Sequence, residues 1–259
     1  MTISTPFERG VLVRGSGSGV LLAHGATGSV ERNFGPLIEP LARRYTIVGA
    51  DFPGSGETPR STGPLSLDDL ADQLVGAAVR AGVESFAILG YSMGTAVAVR
   101  AATRHPDRVS ALVLTAGLAR MNPRTRLVID TMRTLIESGD RRTLAACLAM
   151  VASGARWLET LSAAELDARI ASTTPGDGDL DQLALLDTID VRADLGRISV
   201  PTLVIATTED HLVTPSHSHE LAAGIPHARL QSLDSGHLVV EERGAEWLTM
   251  ITDFLSAVG

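Results

Sequence analysis

Between Phe86 and Ala102 the chain has to change from one kind of secondary structure to another within five residues. Phe86-Ala-Ile-Leu89 is an unbroken apolar run of strand length, and Thr95 to Ala102 is a run of small residues suited to a closely packed helix. Only Gly90-Tyr91-Ser92-Met93-Gly94 joins them. A glycine two positions either side of Ser92 removes the side chains that would hold strand and helix apart. So tight a bend leaves the Ser92 hydroxyl exposed at a helix start, where free N–H groups and the helix dipole favour developing negative charge.

The rest of the chain is read outward from this bend. Gly10 to Arg14 reads as an edge strand, Gly15-Ser-Gly-Ser-Gly19 as a hairpin-like link, and Val20 to Ala23 as a second strand. A glycine string that cradles phosphate must open a helix, and this one opens a strand, which excludes a dinucleotide fingerprint. Asn33 to Arg44 carries Phe34, Leu37, Ile38 and Leu41 at helical spacing, Thr46 to Ala50 is a buried strand, and Leu67 to Ala81 is a helix with Asp68 and Asp69 in its first turn. Val109 to Thr115 is the next strand. This alternation predicts an α/β fold with a mostly parallel central sheet and helices on both faces.

The rhythm breaks between Leu118 and about Asp190, where Arg126 to Ser138, Arg141 to Ala152 and Ala163 to Ala171 read as amphipathic helices and no strand pattern occurs. Thr173 to Asp179 is the most loop-like stretch, a hinge or exposed turn. The alternation resumes with a strand from Val200 to Ala206, a helix from Ser216 to Ala223, a strand from Arg229 to Leu233 and a closing helix from Val240 to Ala257.

Composition narrows the function. At 259 residues with 44% hydrophobic residues the chain can bury a large core. A net charge of -8 opposes binding to nucleic acid or anionic membrane and suits a small-molecule substrate; it leaves the oligomeric state open. Every basic residue other than histidine is arginine, so lysine bases, Schiff-base lysines and a Walker A lysine are excluded. Cys147 is the single cysteine, so no internal disulfide forms, and it lies with Leu144, Leu148 and Val151 on an apolar helix face as a core thiol. Met1 to Gly10 holds no apolar run behind a basic start, and no stretch is long enough for a bilayer span; the chain reads as soluble and cytoplasmic.

Gly90-Tyr-Ser-Met-Gly94 fits the nucleophile-elbow pattern G-x-S-x-G, and with it the chain resembles the α/β-hydrolase family. Three further stretches carry the resemblance: Val20-Leu-Leu-Ala-His24-Gly25-Ala26-Thr27-Gly28, Asp51-Phe-Pro-Gly54-Ser-Gly56, and downstream Asp210-His-Leu-Val-Thr-Pro215 followed by Asp234-Ser-Gly236-His237. Together they span most of the chain. The resemblance implies an α/β-hydrolase core of residues 1–117 and 191–259, with residues 118–190 inserted as a helical cap, or lid, above the catalytic edge of the sheet.

Acyl transfer to serine needs a base, a group that fixes the base's tautomer, and donors for the tetrahedral oxyanion. Ser92 is the nucleophile, His237 the base and Asp210 the orienting acid, with adjacent Glu209 as the rival for that last role. The backbone N–H groups of Ala26 and Met93 are the expected oxyanion hole. His24 and Asp51 read as structural, while Thr27, Met132, Leu135, Leu148 and Trp157 are candidate substrate contacts. His211, His217 and His219 cluster in sequence, but spacing on a helix start turns them to different faces, so no metal site is expected. The cap arginines read as a solvated face.

No cofactor is called for. The expected activity is hydrolysis of a small-to-medium carboxylic ester, thioester or lactone through an acyl-Ser92 intermediate. Serine at the elbow argues against epoxide hydrolases and dehalogenases, which resemble the same fold with a carboxylate there. C–C bond hydrolysis, acyl transfer or cyclisation, lyase or cofactor-free oxygenase chemistry, and non-hydrolytic ligand binding stay open as alternatives on the same scaffold.

Overall fold

A computed structural model describes residues 10–258; the Met1–Arg9 part of the leader reading lies outside them. Among these residues seven strands form one sheet in the order β1-β3-β2-β4-β5-β6-β7: β1 (Val11–Gly15), β2 (Ser18–Ala23), β3 (Tyr45–Ala50), β4 (Phe86–Tyr91), β5 (Val109–Thr115), β6 (Thr202–Thr207) and β7 (Arg229–Leu233). β1 pairs antiparallel with β3, and the other pairings are parallel. The hairpin-like reading of Gly15 to Gly19 needs correction. The chain reverses there, but β3 lies between β1 and β2, so the two strands it joins never pair. Gly15 and Gly17, both at positive φ, pass against the carbonyls of Ala42, Arg44 and Tyr45, where a side chain has no room.

Because strand side chains alternate, the sheet divides its apolar residues between two clusters. Leu21 and Ala23 of β2, Phe86 and Ile88 of β4 and Leu112 and Leu114 of β5 face one side, against α2 (Leu67–Arg80), α3 (Met93–Arg104) and Leu221 of α10 (Pro215–Gly224). Val20, Leu22, Ala87, Leu89, Ala111 and Val113 face the other, against Phe34, Leu37 and Leu41 of α1 (Val30–Ala42) and Trp247, Ile251 and Phe254 of α11 (Val239–Val258). The Phe34 and Trp247 rings stack at 5.6 Å.

Between β5 and β6 the chain adds α4 (Pro123–Ser138), α5 (Arg141–Ala152), α6 (Ala155–Leu158), α7 (Ala163–Ser172), α8 (Asp179–Leu186) and α9 (Arg192–Leu195). α6, α8 and α9 have no counterpart in the sequence reading. Ile129, Met132, Leu144, Leu183 and Leu186 of this insert join the same buried cluster as the sheet face. Among the described residues no helix is long and apolar enough to cross a membrane.

Candidate active site

The carboxyl ends of the parallel strands carry His24 after β2, Asp51 after β3, Ser92 after β4, Asp210 after β6 and His237 after β7. Ser92 caps α3 at φ 54° and ψ −122°, a left-handed conformation for a non-glycine residue, and its side chain makes no capping bond. The bend holds because it is over-determined: the Ser92 N–H donates to Thr115 O at 3.0 Å, and Thr95 Oγ1 donates to Ser92 O at 2.7 Å. A Cβ on Gly90 would strike the backbone of Gly94 and Thr95, and one on Gly94 would overlap the Ala23 carbonyl, so both glycines are required by close approach.

With its hydroxyl free of capping, Ser92 Oγ lies 3.1 Å from His237 Nε2. His237 Nδ1 lies 2.7 Å from Asp210 Oδ2, and all three side chains are buried. The Asp210 carboxylate takes three more donors: Thr207 Oγ1 at 3.0 Å on Oδ2, and the N–H groups of Leu212 and Val213 at 2.9 and 2.8 Å on Oδ1. That set fixes its orientation toward the imidazole. Glu209 turns the other way and pairs with Arg156, so it is Asp210 that faces His237.

The His237 loop is held by groups the sequence reading did not single out. Tyr91 OH donates to the His237 carbonyl, and burial pushes that phenol well above its ordinary pKa. The buried Glu242 accepts from the N–H groups of Gly236 at 2.8 Å and Gly154 at 3.1 Å. Leu238 N–H and His211 N–H donate to the carbonyls of Ala152 and Val151, so the end of α5 is tied to both the histidine and the acid loops.

His24 is fully buried. Its Nδ1 donates to Gly25 O at 2.8 Å and its Nε2 accepts from Phe52 N–H at 2.8 Å, which sets its tautomer. Burial lowers its pKa to about 4, opposed in part by the Gly25 carbonyl. Asp51 Oδ1 accepts from Val30 N–H at 2.7 Å, and burial raises its pKa. Both bind structure rather than face the cavity.

A cavity opens over Ser92 and His237. Its apolar wall includes Leu118, Ile129, Met132, Leu148, Leu183 and Val213, and its polar side carries Thr27, Arg32, Asn33, Arg169 and Glu241, the last two ion-paired. Ala26 lines the cavity, while Met93, buried beneath it, supplies the first N–H of α3. Among the described residues no group of three or more His, Cys, Asp or Glu side chains could hold a metal; His217 instead meets Thr125 Oγ1 at 2.9 Å, its pKa lowered by burial.

A family model described as alpha/beta hydrolase fold matches residues 20–244. The chain belongs to the α/β-hydrolase family. It is 31% identical to a pyrrolizixenacetamide deacetylase from Xenorhabdus hominickii over 94% of this chain and 92% of that protein. It is 29% identical to a candidate carbamate hydrolase, RutD, from Azorhizobium caulinodans over 86% and 85%. The enol-lactonase from Burkholderia xenovorans LB400 superposes with a TM-score of 0.82, covering 95% of each chain at 24% identity, a likeness of fold.

In this α/β hydrolase, Thr27, Met132 and Leu148 line the cavity, whereas Leu135 and Trp157 lie outside its lining. Leu135 packs against the core, and the Trp157 ring sits under the Arg169 guanidinium at 5.0 Å. Apolar character alone nominated them, and a helix has several apolar positions of which one row faces the cavity.

Proposed function

We propose that this α/β hydrolase is a serine hydrolase that cleaves a small-to-medium carboxylic ester, thioester or lactone through an acyl-Ser92 intermediate, with the helices of residues 118–190 as the cap over its pocket. The observation that carries the reading is the hydrogen-bond line from Ser92 Oγ through His237 to Asp210 beneath a mostly apolar cavity.

In this reading Ser92 Oγ attacks the carbonyl carbon as His237 Nε2 takes its proton, and the carbonyl oxygen gains charge beside the N–H groups of Ala26 and Met93. Asp210, bonded to Nδ1–H, keeps Nε2 free to act as base and stabilises the imidazolium. The imidazolium then gives its proton to the leaving oxygen or sulfur. Water, deprotonated by the same nitrogen, releases the acid from Ser92.

The relatives named as a deacetylase and a carbamate hydrolase favour a second reading of the same chemistry, in which an acetylated amine or a carbamate is cleaved. Both readings need an activated serine.

The test is the intact mass after exposure to a fluorophosphonate. One adduct on the wild type and none on Ser92→Ala or His237→Ala is expected. Asp210→Asn should keep its fold and lose on the order of 10³- to 10⁴-fold in kcat on an acetyl ester, since the wrong histidine tautomer is then favoured. An unlabelled, folded wild type, or full activity without Asp210, would remove the serine-hydrolase reading.

A further inference from the structure

The two peptide planes that flank Ala26 are gripped separately, and one grip comes from the inserted helices. In a trans peptide the C=O and N–H point in opposite directions. The Gly25 carbonyl accepts from His24 Nδ1 at 2.8 Å and from Gly28 N–H at 3.3 Å, so the Ala26 N–H of that same peptide points away from both. Across Ala26, the Thr27 N–H donates to Gln182 Oε1 at 2.8 Å.

Thr27 sits at φ 58°, a left-handed conformation that costs a β-branched residue on the order of 1–3 kcal/mol and persists only when its surroundings hold it. Gln182, on α8, is completely buried, and its amide nitrogen donates to Ser55 Oγ at 2.8 Å and Pro53 O at 3.1 Å. With the oxygen and both amide hydrogens engaged, the side chain has one orientation. It ties the loop after β2 to the loop after β3 and both to α8. The Gly178 N–H, just ahead of α8, donates to Gly54 O at 3.3 Å and seats the helix on that second loop.

We propose that Gln182 is a positioning residue for the oxyanion hole: by fixing the Ala26–Thr27 peptide it holds the turn that the Gly28 N–H closes onto Gly25 O, and so keeps the Ala26 N–H of the Gly25–Ala26 peptide aimed at the oxygen on which charge develops. This rests on the reading of Ser92 as nucleophile and Ala26 as oxyanion donor. The inserted helices thus contribute to the geometry of the reaction as well as to the walls of the pocket.

The experiment compares wild type, Gln182→Met and Ser55→Ala in hydrolysis of p-nitrophenyl acetate and in inhibition by an alkyl trifluoromethyl ketone and the methyl ketone of the same chain length. Ser92 Oγ adds to the carbonyl carbon of the fluorinated ketone, its proton passes to His237 Nε2, and the carbonyl π electrons move to the oxygen, which enters the hole. The methyl ketone fills the same cavity without that charge.

Gln182→Met should lose about 10- to 100-fold in kcat, the scale of a misaimed donor, with KM unchanged. It should bind the fluorinated ketone more weakly by the same factor and the methyl ketone as tightly as wild type. Ser55→Ala, which keeps the bond to Thr27 but frees one amide hydrogen of Gln182, should show the same pattern with a smaller loss than Gln182→Met. If Gln182→Met does not fold, Gln182→Asn, too short to reach Thr27, is measured in its place.

Equal weakening of both ketones, or no change in either, overturns the proposal. A folded wild type that neither turns over the ester nor prefers the fluorinated ketone overturns the reading of Ser92, and this inference with it; a wild type that does both beside an unaffected variant overturns the inference alone.

Discussion

The imidazole of His24 carries its one proton on Nδ1, and its Nε2 cannot take up a second without breaking a bond. Nε2 is already occupied by the Phe52 N–H, and burial lowers the pKa from 6.5 to about 4. The unfolded chain therefore binds a proton that the folded one refuses between those two values. The contribution is complete above pH 6.5 and lost as pH falls toward 4, in total about 3 kcal/mol. Asp51 and Asp179, whose pKa values burial raises, act with the opposite sign at the acid end. The wild-type urea midpoint should drop between pH 7 and 4.5, and a His24→Gln variant should lose much of that slope; identical slopes would mean that His24 is protonated in the fold. The structural reading of His24 was available from its place before Gly25. Gln182 and Glu242 carried no such mark, because a lone amide or carboxylate on an amphipathic helix looks solvated until tertiary packing buries it.

Elements were most legible where one stretch of sequence sufficed to define them. β4, the bend and α3 follow from apolar run, glycine spacing and small residues, all local. α1 continues through Pro36 and Pro40 because Phe34, Leu37, Ile38 and Leu41 bury a full stripe, whereas α8, two turns behind a Gly-Asp-Gly segment, is too short to show a helical period. The skipped pairing at Gly15 to Gly19 was not local at all, since only the placement of β3 decides it. The same residue type can likewise carry opposite weights. A Cβ on Gly94 would overlap the Ala23 carbonyl of β2, which cannot move without the sheet, whereas Gly139, the C-cap of α4 at φ 74°, has open space around it. Gly94→Ala should cost upwards of about 4 kcal/mol or prevent folding, and Gly139→Ala about 1–2 kcal/mol for its conformation alone. Chemical denaturation of the two variants side by side measures the difference; similar midpoints would refute the close-packing account of the bend.

At the scale of the whole chain, the insert and the sheet are distinct in sequence but continuous in packing. Ile129, Met132, Leu144 and Leu183 bury themselves in the same cluster as Ile88 and Leu114, and polar ties reinforce them through Gln182 to the loops after β2 and β3 and through Glu242 to the His237 loop. Removing the insert would expose that face and take the partners from the Thr27 N–H donor and from the acceptors Ser55 Oγ and Glu242 Oε1, at about 1–3 kcal/mol for each one left buried. One cooperative transition is therefore expected. The chain has two tryptophans, Trp157 in the insert beside Arg169 and Trp247 buried on the opposite face of the sheet, which report on the two regions separately. Fluorescence of Trp157→Phe reads Trp247, and that of Trp247→Phe reads Trp157. Because Trp247→Phe removes a buried ring and its bond to Thr115 Oγ1, each midpoint must be compared with far-ultraviolet circular dichroism of the same variant. Within each variant fluorescence and dichroism should coincide. An earlier Trp157 transition would show that the helices between β5 and β6 melt on their own, and the link from α8 to Thr27 would then be too weak to aim anything.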